Sequence, residues 1–217
     1  MKLILFSSAD KSISEAKIVA EMFEHGLEFF HLRKTGFNQN EICAYLDIIP
    51  KKYHNKIVLH SNHHLKKIYK IGGLHVSRTQ RKKKYTSRWK FWKFKFMNSG
   101  LYLTRTHSKL STLSEDKKTY NYVFLSPIYD SISKIGHSGN FGNRSIEKYI
   151  KMAKSPVVAL GGIDVSKFEE CNELGFYGVG ILGCIWNNED LEPLEAYLEA
   201  KKAIETIKPL NNEENLL

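Results

Sequence analysis

The chain has 217 residues, 42% of them hydrophobic and 26% charged, proportions that exclude a protein disordered along its whole length. Its longest nearly apolar stretch, Tyr177–Trp186, is half as long as a membrane-spanning helix, which needs about 20 residues. The formal net charge of +10 comes mainly from residues 81–95, which hold eight Lys or Arg and no acid and so leave +2 for the rest.

Short apolar runs alternate with longer amphipathic stretches along the whole chain. The runs that predict strands are, in order, Leu3–Ser7, Leu27–Leu32, Lys56–Leu59, Leu74–Val76, Leu101–Thr104, Tyr122–Leu125, Val157–Leu160 and Tyr177–Leu182. The segments that predict helices are Ile13–His25, Gln39–Ile49, His63–Lys70, the basic segment 81–95, Ser108–Asp116, Ser145–Ala153, Val165–Leu174 and Leu191–Ile207.

Eight strand–helix units within residues 1–207 predict a fold of the α/β class, a single-domain TIM (β/α)8 barrel, with residues 208–217 as a loose tail. A doubly wound open sheet is the alternative. It would normally need a glycine-rich turn after the first strand, and Ser7–Asp10 is not one. The apolar run at the N-terminus is too short for a secretory signal, so we also predict a cytoplasmic protein with no membrane partner.

In a TIM barrel the chemistry lies on the loops that follow the strands, and here those positions carry cations and hydroxyls with almost no carboxylates. The side chains concerned are His31, Arg33, His60, His75, Thr104 and His107. Such a set suits an anionic, phosphorylated substrate better than acid–base catalysis by paired acids.

Glycines follow the last two strands. Gly161 and Gly162 come after the run VVAL, and Gly183 comes after GVGIL. Backbone without a Cβ lets an anion approach closely, and the loops after strands 7 and 8 often hold phosphate in these barrels. The alternative is that these glycines only allow the strands to turn tightly.

Four histidines near strand ends raise the question of a metal. A zinc site needs three or four converging ligands. His63 and His64 fall in the predicted helix after strand 3 and are expected to face solvent, and no acid completes a site. The sequence therefore disfavours a transition-metal centre.

Large aromatic side chains lie in the second half of the basic segment 81–95 and directly after it: Trp89, Phe91, Trp92, Phe94 and Phe96. One interpretation is a solvated outer helix with these rings partly packed beneath it. The other is a surface for an anionic partner, such as RNA or lipid headgroups.

Over about residues 27–186 the chain resembles the thiamine-phosphate synthase and thiazole tautomerase family of small TIM barrels. The most specific match is SPIYDSISK, residues 126–134, against the family pattern G-P-I-(F/Y)-x-T-x-T-K. Gly142 also matches a family glycine eight residues after that lysine, and PVVALGGI and GVGILG match the last two strands.

The resemblance implies a reaction that joins a pyrimidine pyrophosphate to a thiazole phosphate and releases pyrophosphate. Arg33 and Lys134 would be the catalytic residues that hold the departing pyrophosphate, where developing charge needs stabilisation. Substrate would be bound by the remaining strand-end and loop positions, which are His31, His60, His75, Thr104, His107, Ser131, Ser133, Gly161, Gly162, Leu182 and Gly183.

The chain departs from the family where Mg²⁺ would bind. The two family acids fall at Ser61 and Gln80, so no metal ligand is assigned, although the family implies Mg²⁺ as cofactor. Either cationic side chains replace the metal charge, or Asp10, Asp130 or Asp164 stands in for the missing acids. Otherwise synthase activity is weak or lost.

Two other functions remain open. The first is a thiazole tautomerase, with His60 or His107 moving the proton. The second is a barrel that binds a thiamine precursor without catalysis, or a basic accessory protein that uses residues 81–95. The sequence leaves the oligomeric state open.

Overall fold

A computed structural model describes residues 1–79, 88–129 and 141–207, and the predicted tail at 208–217 lies outside them. Eight parallel strands close into a barrel in sequence order, β1 to β8, with β8 pairing back to β1. The strands are β1 Lys2–Phe6, β2 Phe29–Leu32, β3 Ile57–Leu59, β4 Gly73–His75, β5 Tyr102–His107, β6 Tyr122–Leu125, β7 Val157–Leu160 and β8 Gly178–Ile181. The predicted TIM barrel is confirmed.

Helices surround the barrel and follow the strands in turn. The α-helices among the described residues are α1 Glu15–Glu24, α2 Gln39–Ile48, α3 Arg88–Met97, α4 Ser111–Glu115, α5 Asn143–Met152, α6 Phe168–Glu173, α7 Gly183–Trp186 and α8 Pro193–Thr206. Short 3-10 helices occupy Lys51–Lys56, His63–Lys67 and Val165–Lys167. Within the described part of the chain, no helix is both long and apolar enough to cross a membrane.

Local sequence signals explain several helix ends. The Asn38 side chain accepts a hydrogen bond from the Glu41 N–H, and the Glu41 carboxylate accepts one from the Asn38 N–H, which forms a capping box at the start of α2. Pro193 stands in the first turn of α8, where its missing N–H costs no helical hydrogen bond.

Two apolar layers hold the barrel. The larger lies between the strands and the helices, where alternate strand residues such as Leu5, Phe30 and Leu59 meet helix residues such as Met22. The smaller fills the barrel interior with Ile4, Phe6, Tyr122, Phe124 and Val158, against which Phe29, Leu160 and Leu182 pack. Because successive strand residues face opposite sides, this pattern fixes which residues point toward the barrel axis.

A buried ion pair ties the first two βα units together. The Lys34 ammonium lies 3.0 Å from the Glu15 carboxylate, and both side chains are almost fully buried. Lys34 also donates to the Ser8 hydroxyl and the Asp10 carbonyl, while Glu15 accepts from the Ser8 N–H and the Tyr45 hydroxyl. Each charge is thus surrounded by hydrogen-bond partners, which offsets the cost of removing it from water.

We expect Lys34→Met, which keeps the apolar stem and removes the charge, to lower the free energy of unfolding by about 3–5 kcal/mol, because Glu15 would stay buried without its counter-charge. Lys52→Met is the matched control, since Lys52 and Glu24 form a mostly exposed pair whose loss should change stability little. Denaturant unfolding measures both variants. Equal stability of the two would show that the buried pair does not stabilise the fold.

Candidate functional site

Three histidines meet inside the carboxyl-terminal mouth of the barrel. His31 lies in β2, His60 directly follows β3, and His75 ends β4. His31 pairs in register with Phe6 of β1 and Val58 of β3, two residues before His60. One ring nitrogen from each of the three histidines lies within 4.8 Å of the others. We call His31, His60 and His75 the histidine cluster.

Hydrogen bonds fix the rings. Nδ1 of His31 lies 2.9 Å from Nε2 of His60, so one of these nitrogens donates its N–H to the other. Nε2 of His31 lies 2.6 Å from the Tyr122 hydroxyl, across the barrel on β6. His75 contacts two threonines of β5, with Nδ1 at 2.9 Å from Thr104 Oγ1 and Nε2 at 3.4 Å from Thr106 Oγ1.

Ring packing adds to these contacts. The rings of His60 and His75 are parallel to within 6°, with centroids 4.0 Å apart. The His31 ring packs on Phe6 and Phe124, at centroid distances of 4.8 and 5.0 Å. The cluster therefore has an apolar aromatic floor on the inner side and the barrel mouth on the other.

Burial makes the cluster neutral. Desolvation, together with the nearby charges of His63, Arg33 and Arg105, lowers the pKa of His75 to about 3. Desolvation also holds the pKa of His31 and of His60 well below the usual value for histidine. At neutral pH these imidazoles are uncharged and weakly basic, so they do not form the cationic cluster that one interpretation of the sequence required.

This neutrality also bears on the tautomerase alternative. A proton-transferring histidine works best with a pKa near the working pH, and the pKa of His60 lies well below that range.

His63 was expected to face solvent, but it is half-buried and its charge contributes to the lowered pKa of His75. His64 is exposed, as expected, and contacts Gln39.

Arg33 and Lys34 follow His31 but have different surroundings. The Arg33 side chain is exposed at the end of β2, and its charge contributes to the lowered pKa of both His60 and His75. Lys34 is held in the buried pair with Glu15. Arg33 is therefore a cation beside the histidine cluster that can contact an anion, and Lys34 is a structural residue.

The structure does not bring His107 to this cluster. His107 lies three positions beyond Thr104 in β5, and this odd separation places it on the opposite face of the strand. Its Nδ1 contacts the Thr112 hydroxyl of α4 at 2.8 Å, and its Nε2 lies 3.8 Å from Asp116. Arg105 shares this outer face and pairs with Asp116. Of the predicted site residues on β5, only Thr104 faces the barrel interior.

The glycines after β7 and β8 differ in their backbone conformation. Gly161 and Gly162 both have positive φ, +95° and +66°, which side-chain-bearing residues rarely adopt. Gly183 begins α7 with open space where a Cβ would be, and Leu182 before it packs against the interior apolar layer. The roles of these residues in substrate binding stay predictions.

The remaining predicted residues lie outside the described part of the chain. Three of them, Ser131, Ser133 and Lys134, belong to the loop that matches the family pattern. The other two are Gln80, at a family acid position, and Asp130, one of the acids considered for Mg²⁺. Ser61 is half-buried beside His60. Asp164, another of those acids, accepts a hydrogen bond from the Ser166 N–H at the start of a 3-10 helix.

Sequence reasoning missed Tyr122 as a partner of the site. Its position in an apolar strand is typical of a core residue, and its ring does pack in the interior layer. The signal that could have pointed to it is chemical, because a tyrosine hydroxyl inside a barrel needs a hydrogen-bond partner. His31, at the end of a strand across the barrel, provides one.

Comparison with known proteins extends this picture. Residues 3–185 match the family model described as thiamine monophosphate synthase. The thiamine-phosphate synthase of Dictyoglomus turgidum is 26% identical over 162 residues, 73% of this chain and 70% of that protein. The match to the thiamine-phosphate synthase of Levilactobacillus brevis is 28% identical and covers 33% of each chain, so it spans only about a third of that relative.

Solved structures show the same fold. The thiamine phosphate pyrophosphorylase of Bacteroides thetaiotaomicron superimposes with a TM-score of 0.75 and 27% identity, over 94% of this chain and 98% of that one. The corresponding protein of Pyrococcus furiosus has a TM-score of 0.71 over 94% of this chain and 95% of that one, and at 19% identity it shows the fold alone.

We expect Tyr122→Phe to lower the free energy of unfolding by about 1–3 kcal/mol, because it leaves a buried His31 nitrogen without its hydrogen-bond partner. Tyr102→Phe is the control, since it makes the same chemical change on a neighbouring ring that is partly exposed. Denaturant unfolding of both variants provides the comparison. If the Tyr122→Phe protein were as stable as Tyr102→Phe, the hydrogen bond between Tyr122 and His31 would not contribute to stability.

Proposed function

Because this chain belongs to the thiamine monophosphate synthase family, we propose that it joins hydroxymethylpyrimidine pyrophosphate to thiazole phosphate. The observation that carries the proposal is the family match over residues 3–185, which includes the mouth of the barrel. The exposed cation at Arg33 and the open backbone at Gly183 lend it support.

The proposed reaction breaks the bond between the pyrimidine methylene carbon and the pyrophosphate oxygen, and the electron pair leaves with pyrophosphate. The lone pair of the thiazole nitrogen then forms the new carbon–nitrogen bond to the resulting carbocation. The products are thiamine phosphate and pyrophosphate. In this sequence of events the largest new charge develops on the leaving pyrophosphate, so its stabilisation matters most.

Each candidate residue has a role in this proposal. Arg33 and Lys134 hold the departing pyrophosphate, and Ser131 and Ser133 contact the thiazole phosphate. Backbone N–H groups at Gly161, Gly162 and Gly183 bind the same phosphate. Among the described residues, Thr104 and the neutral histidine cluster line the interior side of the mouth and donate or accept hydrogen bonds without adding charge.

Mg²⁺, the cofactor that the family implies, does not fit the described residues of the mouth. Mg²⁺ prefers hard oxygen ligands in octahedral geometry. The potential ligands gathered in the described part of the mouth are imidazole nitrogens, and the Asp164 carboxylate caps a 3-10 helix. Positive side chains such as Arg33 must therefore contribute to the stabilisation of pyrophosphate.

The test is to mix the purified protein with both precursors, with and without Mg²⁺, and to measure thiamine phosphate by chromatography. Formation of thiamine phosphate with release of pyrophosphate is the expected result. Isomerisation of a carboxythiazole phosphate without coupling would replace the proposal with a tautomerase. Binding of the precursors with no product would replace it with a non-catalytic binding protein.

We expect Gly183→Val to raise the KM for thiazole phosphate at least about tenfold, because the added side chain would crowd an anion that approaches the backbone. A Cβ at this position meets no atom of the described residues within 4 Å, so the fold should tolerate the change. Thermal unfolding serves as the control for folding. An unchanged KM in a stable variant would place the phosphate elsewhere.

A further inference from the structure

We propose that His31, His60 and His75 form a binding site for a divalent metal ion that prefers nitrogen ligands, such as Zn²⁺. One ligand atom from each of the three residues lies within 4.8 Å of the others. Among the described residues, this is the one group of three or more potential metal ligands that comes together. The disagreement with Mg²⁺ thus points to a different class of metal.

The chemistry of the donors supports this class. Imidazole nitrogen suits Zn²⁺, Ni²⁺, Cu²⁺ and Co²⁺, whereas Mg²⁺ selects carboxylate, phosphate and water oxygens. A ligating imidazole must be unprotonated, and burial already keeps all three rings neutral. Little proton competition therefore opposes a metal ion at neutral pH.

The surrounding hydrogen bonds have the pattern of an outer ligand shell. Ligating histidines usually bond their second nitrogen to an oxygen that fixes the ring. Here Nε2 of His31 contacts the Tyr122 hydroxyl, and Nδ1 of His75 contacts the Thr104 hydroxyl. The ion would then bind Nδ1 of His31 and Nε2 of His75. It would replace the contact of the first with Nε2 of His60 and that of the second with Thr106 Oγ1.

Binding requires one ring to turn. In a tetrahedral zinc site, nitrogens about 2.1 Å from the ion lie about 3.4 Å apart. The parallel stack of His60 on His75 cannot direct two in-plane lone pairs at one ion. His60 is the least buried of the three rings, and its rotation would exchange its hydrogen bond to His31 and its stack on His75 for the bond to the ion. Three protein ligands then leave a fourth position open toward the mouth.

An ion at this position would return positive charge to a mouth whose histidines are neutral. In the reaction described under the proposed function, the ion would lie beside Arg33, where the pyrophosphate leaves. This role of the ion rests on the proposed function. The metal site itself does not depend on that reaction. Its test is therefore made without either precursor.

The experiment uses tag-free full-length protein, stripped with a chelator and titrated with Zn²⁺ by calorimetry and with Co²⁺ by visible absorption. We expect about one equivalent of Zn²⁺ per chain and the strong d–d absorption of four-coordinate Co²⁺. Mg²⁺ in excess should not displace either ion. Absence of stoichiometric Zn²⁺ binding, or displacement by Mg²⁺, would overturn the proposal.

Variants locate the site. His60→Gln should weaken Zn²⁺ binding by more than about 100-fold, and Tyr122→Phe, which removes an outer partner, by about 10–100-fold. His64→Gln is the matched control, because His64 is exposed and outside the cluster. Equal loss of binding in His64→Gln, or unchanged binding in His60→Gln, would place the ion elsewhere. Zn²⁺ binding with no thiamine phosphate formed would support the metal site and contradict only the proposed function.

A second and independent observation concerns the outer surface. Helix α3 exposes Trp89, Trp92, Phe96 and Met97, each more than half exposed, and we call these four side chains the aromatic face. Phe91 and Phe94 of the same helix pack inward, and Phe91 contacts Tyr120. The expectation of partly packed rings is thus confirmed for Phe91 and Phe94 and wrong for Trp89, Trp92 and Phe96.

Large exposed apolar patches such as the aromatic face mark interaction surfaces.

We infer that the aromatic face is a docking surface for an anionic lipid bilayer. Helix α3 carries Arg88, Lys90, Lys93 and Lys95 and no acid. Exposed aromatic side chains beside lysines are typical of helices that lie in a membrane interface, where each cation near an anionic surface adds about 1 kcal/mol. The inference differs from the expectation that the chain has no membrane partner. It concerns a contact at the membrane surface, since no helix among the described residues can cross a membrane.

Two other occupants fit less well. Trp89 stacks on Trp92 and Trp92 on Phe96, with centroids 5.3 and 5.7 Å apart, so ring faces that would stack on RNA bases cover each other. A second copy of the chain would bring two strongly cationic segments together, and like charges at an interface are unfavourable. A lipid surface complements both the cations and the exposed rings, since its headgroups are anionic and its outer acyl region is apolar.

Vesicle flotation tests this inference with the full-length protein. We expect binding to phosphatidylcholine vesicles that contain about one third phosphatidylglycerol, loss of binding at high salt, and little binding to pure phosphatidylcholine. The double variant Trp89→Ser with Trp92→Ser should reduce binding at least about tenfold, whereas Ile68→Ser, a change at an equally exposed apolar residue, should not. Equal binding by all variants, no vesicle binding, or a vesicle-free dimer or RNA complex that needs the tryptophans would overturn it.

Discussion

The burial of three imidazoles, one within β2 and two at the ends of β3 and β4, keeps this side of the barrel mouth uncharged. Removing a histidine from water disfavours its protonated form, so His31, His60 and His75 are neutral. Among the described residues, two further cations near this end of the barrel are paired, Lys34 with Glu15 and Arg105 with Asp116. Arg33 is exposed beside the cluster. The chemistry of the mouth therefore depends on hydrogen bonding and on charge supplied from outside the cluster.

The fold was predictable because its signals are local. Alternating apolar and amphipathic segments follow from backbone geometry, and eight such units allow few architectures. The predicted bounds of β6 and β7 match the structure. For β5 the predicted run ended at Thr104, but the strand continues to His107. Packing against the helices decides which residues of a strand face the barrel axis. Because the predicted strand ended too early, the sequence did not show that His107 lies on the opposite side from Thr104.

The pairings of the site were less accessible from the sequence. Lys34 stands next to Arg33, and nothing local distinguishes the two side chains. The difference arises from Glu15, which the barrel closure brings within 3.0 Å of Lys34. The contact of His31 with Tyr122 is likewise made across the barrel between β2 and β6. A residue's type and its place at a strand end were therefore predictable, whereas its partner and its protonation state required the tertiary structure.

Exchanging acids for neutral groups also changes the mouth when no ion is bound. In the family pattern, two carboxylates without their metal would repel a pyrophosphate. Here Ser61 stands at one of those positions, and the neighbouring His60 is neutral. In the proposed reaction, the pyrophosphate then approaches Arg33 without that repulsion, whether or not a metal ion is bound. The same exchange removes oxygen ligands that would select Mg²⁺, while the histidine cluster, which includes the neighbouring His60, offers nitrogen ligands. The side chains that follow β3 thus bear on both substrate approach and metal selectivity.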